Sequence, residues 1–173
     1  MEPPEMINAG TLVLKRWEPE WAGELLAAVR ESLPELTPFL PWATDDYELA
    51  NARAYLADAD HRWAKDTDYQ YAIFTSIGEL IGGIGLHTRG GPDMLEIGYW
   101  LRSPFAGRGH MTTAVEALTR VVFTLPGITR ATIRHDPRNT ASGRVAEKAG
   151  YTEASRRVLE DGTTEIIQER AAT

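Results

Sequence analysis

The sequence has no cysteine. Disulfides, thiolate metal sites and a thiol nucleophile are excluded with it, and a reducing compartment costs such a chain nothing. No apolar run approaches the roughly 18 to 20 residues of a membrane span. The opening Met1-Glu2-Pro3-Pro4-Glu5 lacks the basic-then-apolar order of a secretory signal. A soluble, cytoplasmic protein without membrane contact is the expectation. Cations are also short: 18 Lys and Arg face 25 Asp and Glu, for a net charge of -7. That balance speaks against a nucleic-acid partner, since phosphate-backbone binding depends on excess cations that release counterions. The four histidines include no His-x-x-x-His pair, so no metal site is expected. Gly-Lys followed by Ser or Thr occurs nowhere, which demotes a Walker loop.

What remains is an ordinary globular balance, 43% hydrophobic and 25% charged over 173 residues. No repeat, low-complexity tract or linker interrupts it, so residues 1–173 read as one domain. Thr11 to Arg16 alternates as a strand, and Trp21 to Leu33 repeats at helical spacing. A proline-broken loop with apolar contents follows to Trp42, then a helix from Tyr47 to about Lys65 and paired strands at Tyr69 to Ser76 and Leu80 to His87. Met94 to Arg102 is a strand with two faces. Leu95, Ile97, Tyr99 and Leu101 share one, and Glu96, Gly98 and Trp100 lie on the other. A glycine turn, a helix over about 112–124 and a strand over 128–135 follow, an order that implies parallel neighbours and a right-handed crossover. Asn139 caps a short helix, and a hairpin turning at Asp161-Gly162 closes the chain. The fold class is α/β (α+β), a mixed sheet flanked by helices.

Two segments carry chemistry. In Pro104-Phe105-Ala106-Gly107-Arg108-Gly109-His110-Met111, glycines between a strand and a helix let backbone N–H groups converge on an anion at a helix N-terminus. No acid occurs from Ile97 through Val115, where composition leads one to expect about three. The second segment is Asn139-Thr140-Ala141-Ser142-Gly143-Arg144-Val145-Ala146-Glu147-Lys148-Ala149-Gly150-Tyr151.

This second segment resembles the Asn-x-x-Ser-x-x-Val-x-Glu-Lys-x-Gly-(Phe/Tyr) signature of GCN5-related N-acetyltransferases, and is most similar to the RimJ/RimL branch, which acetylates protein N-terminal amines and small amines. T-L-V-L-K-R-W near the start, Leu40-Pro41-Trp42, Leu80-Ile81-Gly82 and Glu96-Ile97-Gly98-Tyr99-Trp100-Leu101 extend the resemblance over most of the chain. It implies a GNAT fold with one strongly twisted sheet of about seven strands and two splayed parallel strands at its centre. The implied partners are acetyl-CoA and an amine acceptor, met by a monomer or homodimer through direct attack in a ternary complex. The family's cofactor loop usually reads (Gln/Arg)-x-x-Gly-x-(Gly/Ala). Here Ala106 replaces the polar first residue and Met111 the small last one, while Gly107 and Gly109 remain.

The cofactor contacts this implies are main-chain groups of Leu101, Arg102 and Ser103, the turn Ala106, Gly107, Arg108, Gly109, His110, Met111 and Thr112, and then Asn139, Ser142 and Arg144. Asn139 serves as N-cap, as cofactor ligand, or as both. Ser142 either steadies the departing sulfur or bonds to backbone. Glu96 is the first candidate for catalytic base, on the expectation that burial beside Trp100 raises its pKa; solvated strand glutamate and ion-pair partner are the alternatives. Phe39, Trp42, Glu96 and Trp100 are expected to line the acceptor site. His135 reads as a strand-end histidine with local hydrogen bonds, Tyr151 as a core residue with an exposed hydroxyl. His61 and His87 stand in no constellation. A non-catalytic acyl-CoA sensor and a succinyl-type transferase are the competing functions.

Overall fold

A computed structural model describes residues 1–173. In chain order its strands are β1 (Met6–Ala9), β2 (Leu12–Arg16), β3 (Asp68–Thr75), β4 (Leu80–His87), β5 (Met94–Leu101), β6 (Arg130–His135), β7 (Thr152–Val158) and β8 (Thr164–Ala171). The helices are α1 (Ala22–Glu31), α2 (Leu33–Leu36), α3 (Leu49–Ala64), α4 (His110–Val122) and α5 (Thr140–Lys148). All eight strands join one sheet in the order β1-β2-β3-β4-β5-β6-β8-β7. The count exceeds the expected seven by β1. Its four residues after Pro3-Pro4 are too few to show alternation, and the strand forms because a turn at Gly10, φ +63°, folds it onto β2. The greasy proline loop likewise contains a helical turn, α2, with Pro34 in its first turn, where a missing N–H does no harm.

Every neighbouring pair is antiparallel except β5 with β6. That parallel ladder is short, Met94 to Glu96 against Arg130 to Thr132, although β5 continues to Leu101 and β6 to His135. Beyond Glu96 the two strands part, and the middle of the sheet is left with backbone groups facing no neighbour.

Helices cover both faces. Met111, Ala114, Val115, Leu118 and Val122 recur at helical spacing on α4 and are buried with Leu95 and Ile97 of β5. Leu25 and Val29 of α1 and Leu56 of α3 pack on the opposite face around Trp100. The alternation of β5 therefore sorts its side chains between two cores, with Glu96 and Trp100 on the α1/α3 side. No helix is long and apolar enough to cross a membrane.

Candidate active site

The parted strands border two cavities, one on each side of the sheet. The first, about 790 Å³, runs from the gap across the turn after β5 to the start of α5. Arg102 N donates to Ile81 O in β4 at 2.7 Å. Because successive N–H groups of a strand point to opposite edges, those of Tyr99 and Leu101 point into the gap. They are donors waiting for an extended ligand lying along β5. Arg102 and Ser103 do not share this role. The Ser103 N–H donates to Ser32 Oγ at 2.9 Å, and the Arg102 guanidinium is held by Glu31 at 2.6 Å, Glu79 at 3.2 Å and Leu80 O at 2.9 Å. Both expected main-chain contacts are corrected on this ground, since a donor already in a good bond is not free for a second partner. The Ser103 hydroxyl, buried and unpartnered, still lines the cavity.

The turn itself is backbone chemistry. Gly107 and Gly109 adopt φ of +74° and +78°, and no atom lies within 4 Å of where a Cβ would stand. Glycine is required there for its conformation, not for space. Gly109 caps α4, which starts at His110, two residues before the expected start at Thr112. The first turn has no acid and no side-chain cap, so its N–H groups and the helix dipole face the cavity unopposed. Ala106, His110, Met111 and Thr112 reach the cavity, whereas Arg108 is exposed and lies over the Phe105 ring at 5.6 Å. Arg144 and Lys148 add positive charge at the far wall, while Arg138, which borders both cavities, is paired with Asp136 at 2.7 Å. An extended ligand with a diphosphate suits this surface.

The second cavity, about 850 Å³, opens on the α3 side. Trp42 meets Tyr55 in a stacked arrangement and Trp100 edge-on at 6.1 Å, and Phe39 is beside them. Glu96 forms the floor, 4% exposed. Its carboxylate takes two hydrogen bonds from Arg89, at 2.9 and 2.7 Å, and Arg134 Nε lies 3.3 Å away as a charge contact without hydrogen-bond alignment. Burial pushes the carboxyl pKa up, but the Arg89 bonds and the charges of both arginines outweigh it, and the net shift is downward. The expected rise is therefore not found. A carboxylate so engaged is a weak base, and the ion-pair alternative describes it better.

The two cavities share Pro38, Phe39, Leu40, Tyr99, Trp100, Arg138, Asn139 and Ser142. At this junction the Tyr99 hydroxyl is 2.9 Å from Ser142 Oγ and 3.1 Å from Ser142 O. Asn139 Oδ1 accepts the Ser142 N–H at 3.2 Å, so the cap is real and the amide NH2 stays free. Burial lifts the Tyr99 phenol to about 12, which keeps it a donor. Tyr99 was hidden in the sequence among the core-facing residues of β5; only the parting of the strands turns it toward a ligand.

Other expectations are settled locally. His135 has Nδ1 3.0 Å from Asp136 O and Nε2 3.3 Å from Gln168 Nε2, a satisfied strand-end histidine. Tyr151 does not expose its hydroxyl, which bonds Thr119 Oγ1 at 2.7 Å in the buried core. His87 does have a constellation: its Nδ1 bonds Asp68 Oδ1, which sequence spacing could not show across 19 residues.

A family model described as the acetyltransferase (GNAT) domain matches residues 11–152. The chain belongs to the GNAT acetyltransferase family. A curated relative, the Bacillus subtilis (strain 168) protein named probable N-acetyltransferase YjcK, is 31% identical over 150 residues, 84% of this chain and 83% of its own. Among solved structures, the RimL ribosomal L7/L12 alpha-N-protein acetyltransferase in complex with coenzyme A superposes with a TM-score of 0.88 at 22% identity, covering 96% of this chain and 98% of that one. The microcin C7 self-immunity acetyltransferase MccE, in complex with acetyl-CoA and AMP, gives 0.89 at 17% identity, with 98% and 97% covered. At these identities the superpositions carry the fold. As a member of the GNAT family, the protein is an N-acetyltransferase. Of the two departures, Ala106 precedes the turn's glycines and Met111 is a buried residue of the first turn of α4, and neither disturbs the left-handed positions 107 and 109.

Proposed function

We propose that residues 1–173 act as one domain that moves an acetyl group from acetyl-CoA to a primary amine, a protein N-terminus or a small molecule, by direct attack in a ternary complex. One observation carries this reading: two cavities of comparable volume approach the same gap from opposite sides of the sheet and meet at Tyr99 and Ser142. The donor enters along Tyr99 and Leu101, with its diphosphate at the turn of Gly107 and Gly109 and with Asn139, Ser142, Arg144 and Lys148 beside it. The acceptor enters past Phe39, Trp42 and Trp100. No thiol is present for a covalent detour.

At the junction, when the single Tyr99 hydroxyl hydrogen is given to Ser142 Oγ at 2.9 Å rather than to Ser142 O at 3.1 Å, the serine hydrogen is free for the departing sulfur, so Ser142 steadies the leaving group and Tyr99 orients it. Glu96 holds Arg89 and Arg134 in the acceptor wall. An α-amine with pKa of about 8 loses only about 1 kcal/mol by being neutral at pH 7, against roughly 4 to 5 for a lysine amine. A cavity whose shifted carboxylates, Glu96, Asp136 and Asp161, are all held below their ordinary values suits the former, and RimL, whose name records an α-amine target, has the same fold. We place this activity in the cytoplasm, in a monomer or homodimer.

The test is thiol release from acetyl-CoA with a panel of N-terminal peptides, amino acids, polyamines and lysine side-chain analogues. Turnover with α-amines above side-chain amines is expected. Tight CoA binding without transfer to any amine would sink the proposal in favour of a sensor.

A further inference from the structure

His87 closes β4, where it pairs with Asp68 of β3 on one side and with Glu96 of β5 on the other. Cross-strand partners share a face, so all three side chains lie on the acceptor side of the sheet. Asp68 is buried, 8% exposed; its Oδ1 bonds His87 Nδ1 while its Oδ2 accepts from Arg62 at 3.0 Å. An ionised carboxylate on Nδ1 fixes the tautomer with the proton there and leaves the lone pair on Nε2. That nitrogen has no protein partner. It stands above Gly98, where a Cβ would come within 3.2 Å of it, and both residues line the acceptor cavity. Gly98 precedes Tyr99, whose N–H enters the donor gap from the other edge of the same strand.

We infer that His87 is the base that takes a proton from the acceptor amine, oriented by Asp68. The inference rests on the transfer reading above and names the group that serves it. The ammonium gives one proton to His87 Nε2, directly or through one water, and the freed electron pair of nitrogen forms the bond to the thioester carbon. The carbon–sulfur bond breaks with its pair going to sulfur. The second amine proton ends on that sulfur, giving thiol and amide, and the proton on Nε2 returns to solvent. Position 98 is glycine because a side chain there would occupy the space between base and amine. The charged groups around the imidazole are Asp68 of β3, which bonds it, Arg62 and Asp58 of α3, which reach it through Asp68, and its cross-strand neighbour Glu96 of β5 with Arg89 from the turn after β4 and Arg134 of β6.

The experiment compares wild type, H87Q and D68N with an alkyl amine and with its alkoxyamine isostere, whose nitrogen is already neutral at pH 7. H87Q is expected to lose about 10²-fold in kcat with the alkyl amine. The deficit should narrow as pH rises toward the amine pKa and largely vanish with the alkoxyamine. CoA affinity by calorimetry and the circular dichroism of the fold should not change. D68N should fall less than H87Q and, like it, recover with the alkoxyamine, since it removes only the group that orients the imidazole. A H87Q deficit below threefold, or one equal at every pH and for both amines, overturns the assignment while leaving transfer intact. Wild type that binds CoA and acetylates nothing overturns the transfer reading and this inference with it.

Discussion

The two cavities that meet between β5 and β6 are made of different material. On the donor side the polar groups are mostly main-chain: the N–H groups of Tyr99 and Leu101, the αL turn of Gly107 and Gly109, and the bare first turn of α4. On the acceptor side they are side chains from separate elements, among them Arg62 of α3, His87 of β4, Glu96 of β5 and Arg134 of β6. Backbone groups are presented by every sequence that takes the fold, so on the proposed reading Ala106 and Met111 remove no group that the donor needs. Side-chain walls change with each substitution. Shared chemistry sits on the first surface and selectivity on the second.

The largest expected effect probes the side-chain surface. E96Q leaves Arg134, 18% exposed, beside a neutral group and should destabilise the fold by about 2 to 3 kcal/mol, less than the 3 to 5 of a fully buried pair because Arg89 can return to water. Glu96 has a folded pKa below its ordinary 4.5, so its stabilisation is whole above that pH and is lost as pH falls through the folded value. Urea unfolding of wild type and E96Q should therefore differ at pH 7 and converge in acid. A variant of unchanged stability with a displaced pH–rate profile would return the role of base to Glu96.

G109V attacks the backbone surface. A β-branched residue at φ +78° is strained by about 1 to 3 kcal/mol, so the Kd for CoA should rise roughly 10- to 100-fold. Acceptor KM at saturating acetyl-CoA should stay as in wild type. W42A makes the reciprocal break. It removes an exposed ring that touches Tyr55 and Trp100, and should raise acceptor KM about 10-fold with CoA affinity intact. Equal damage to both ligands from either variant would show that the cavities are not separable.

The same difference decides what a reader of the sequence can find. The glycine turn, the Asn139 cap, Ser142 and the helix after the turn are local patterns, and the structure puts them within a residue or two of their expected places. The crossover between β5 and β6 follows from a helix of this length between two strands. Arg89 and Arg134 look like solvated charges at strand ends, and nothing in their neighbours announces that both reach Glu96. Tyr99 alternates with Leu95 and Ile97 as core residues do, and its exposure to the gap depends on where a ladder stops pairing. His87 and Asp68 meet through strand register. These are all consequences of long-range geometry, which no spacing rule encodes.

The smallest effect tests whether side chains matter at all on the donor side. Arg144 and Lys148 are exposed residues of α5 on the wall of the donor cavity, with no protein salt-bridge partner. Exposed charges contribute about 0.2 to 1 kcal/mol and are screened by salt. R144A and K148A should each raise the Kd for CoA about two- to threefold in dilute buffer, and the differences should fade near 0.5 M salt, where the Debye length is about 4 Å. The G109V loss, being conformational, should persist there. If instead the two substitutions cost 10-fold at all ionic strengths, side chains rather than main-chain amides grip the phosphates, and the contrast between the two surfaces would have to be redrawn around charge.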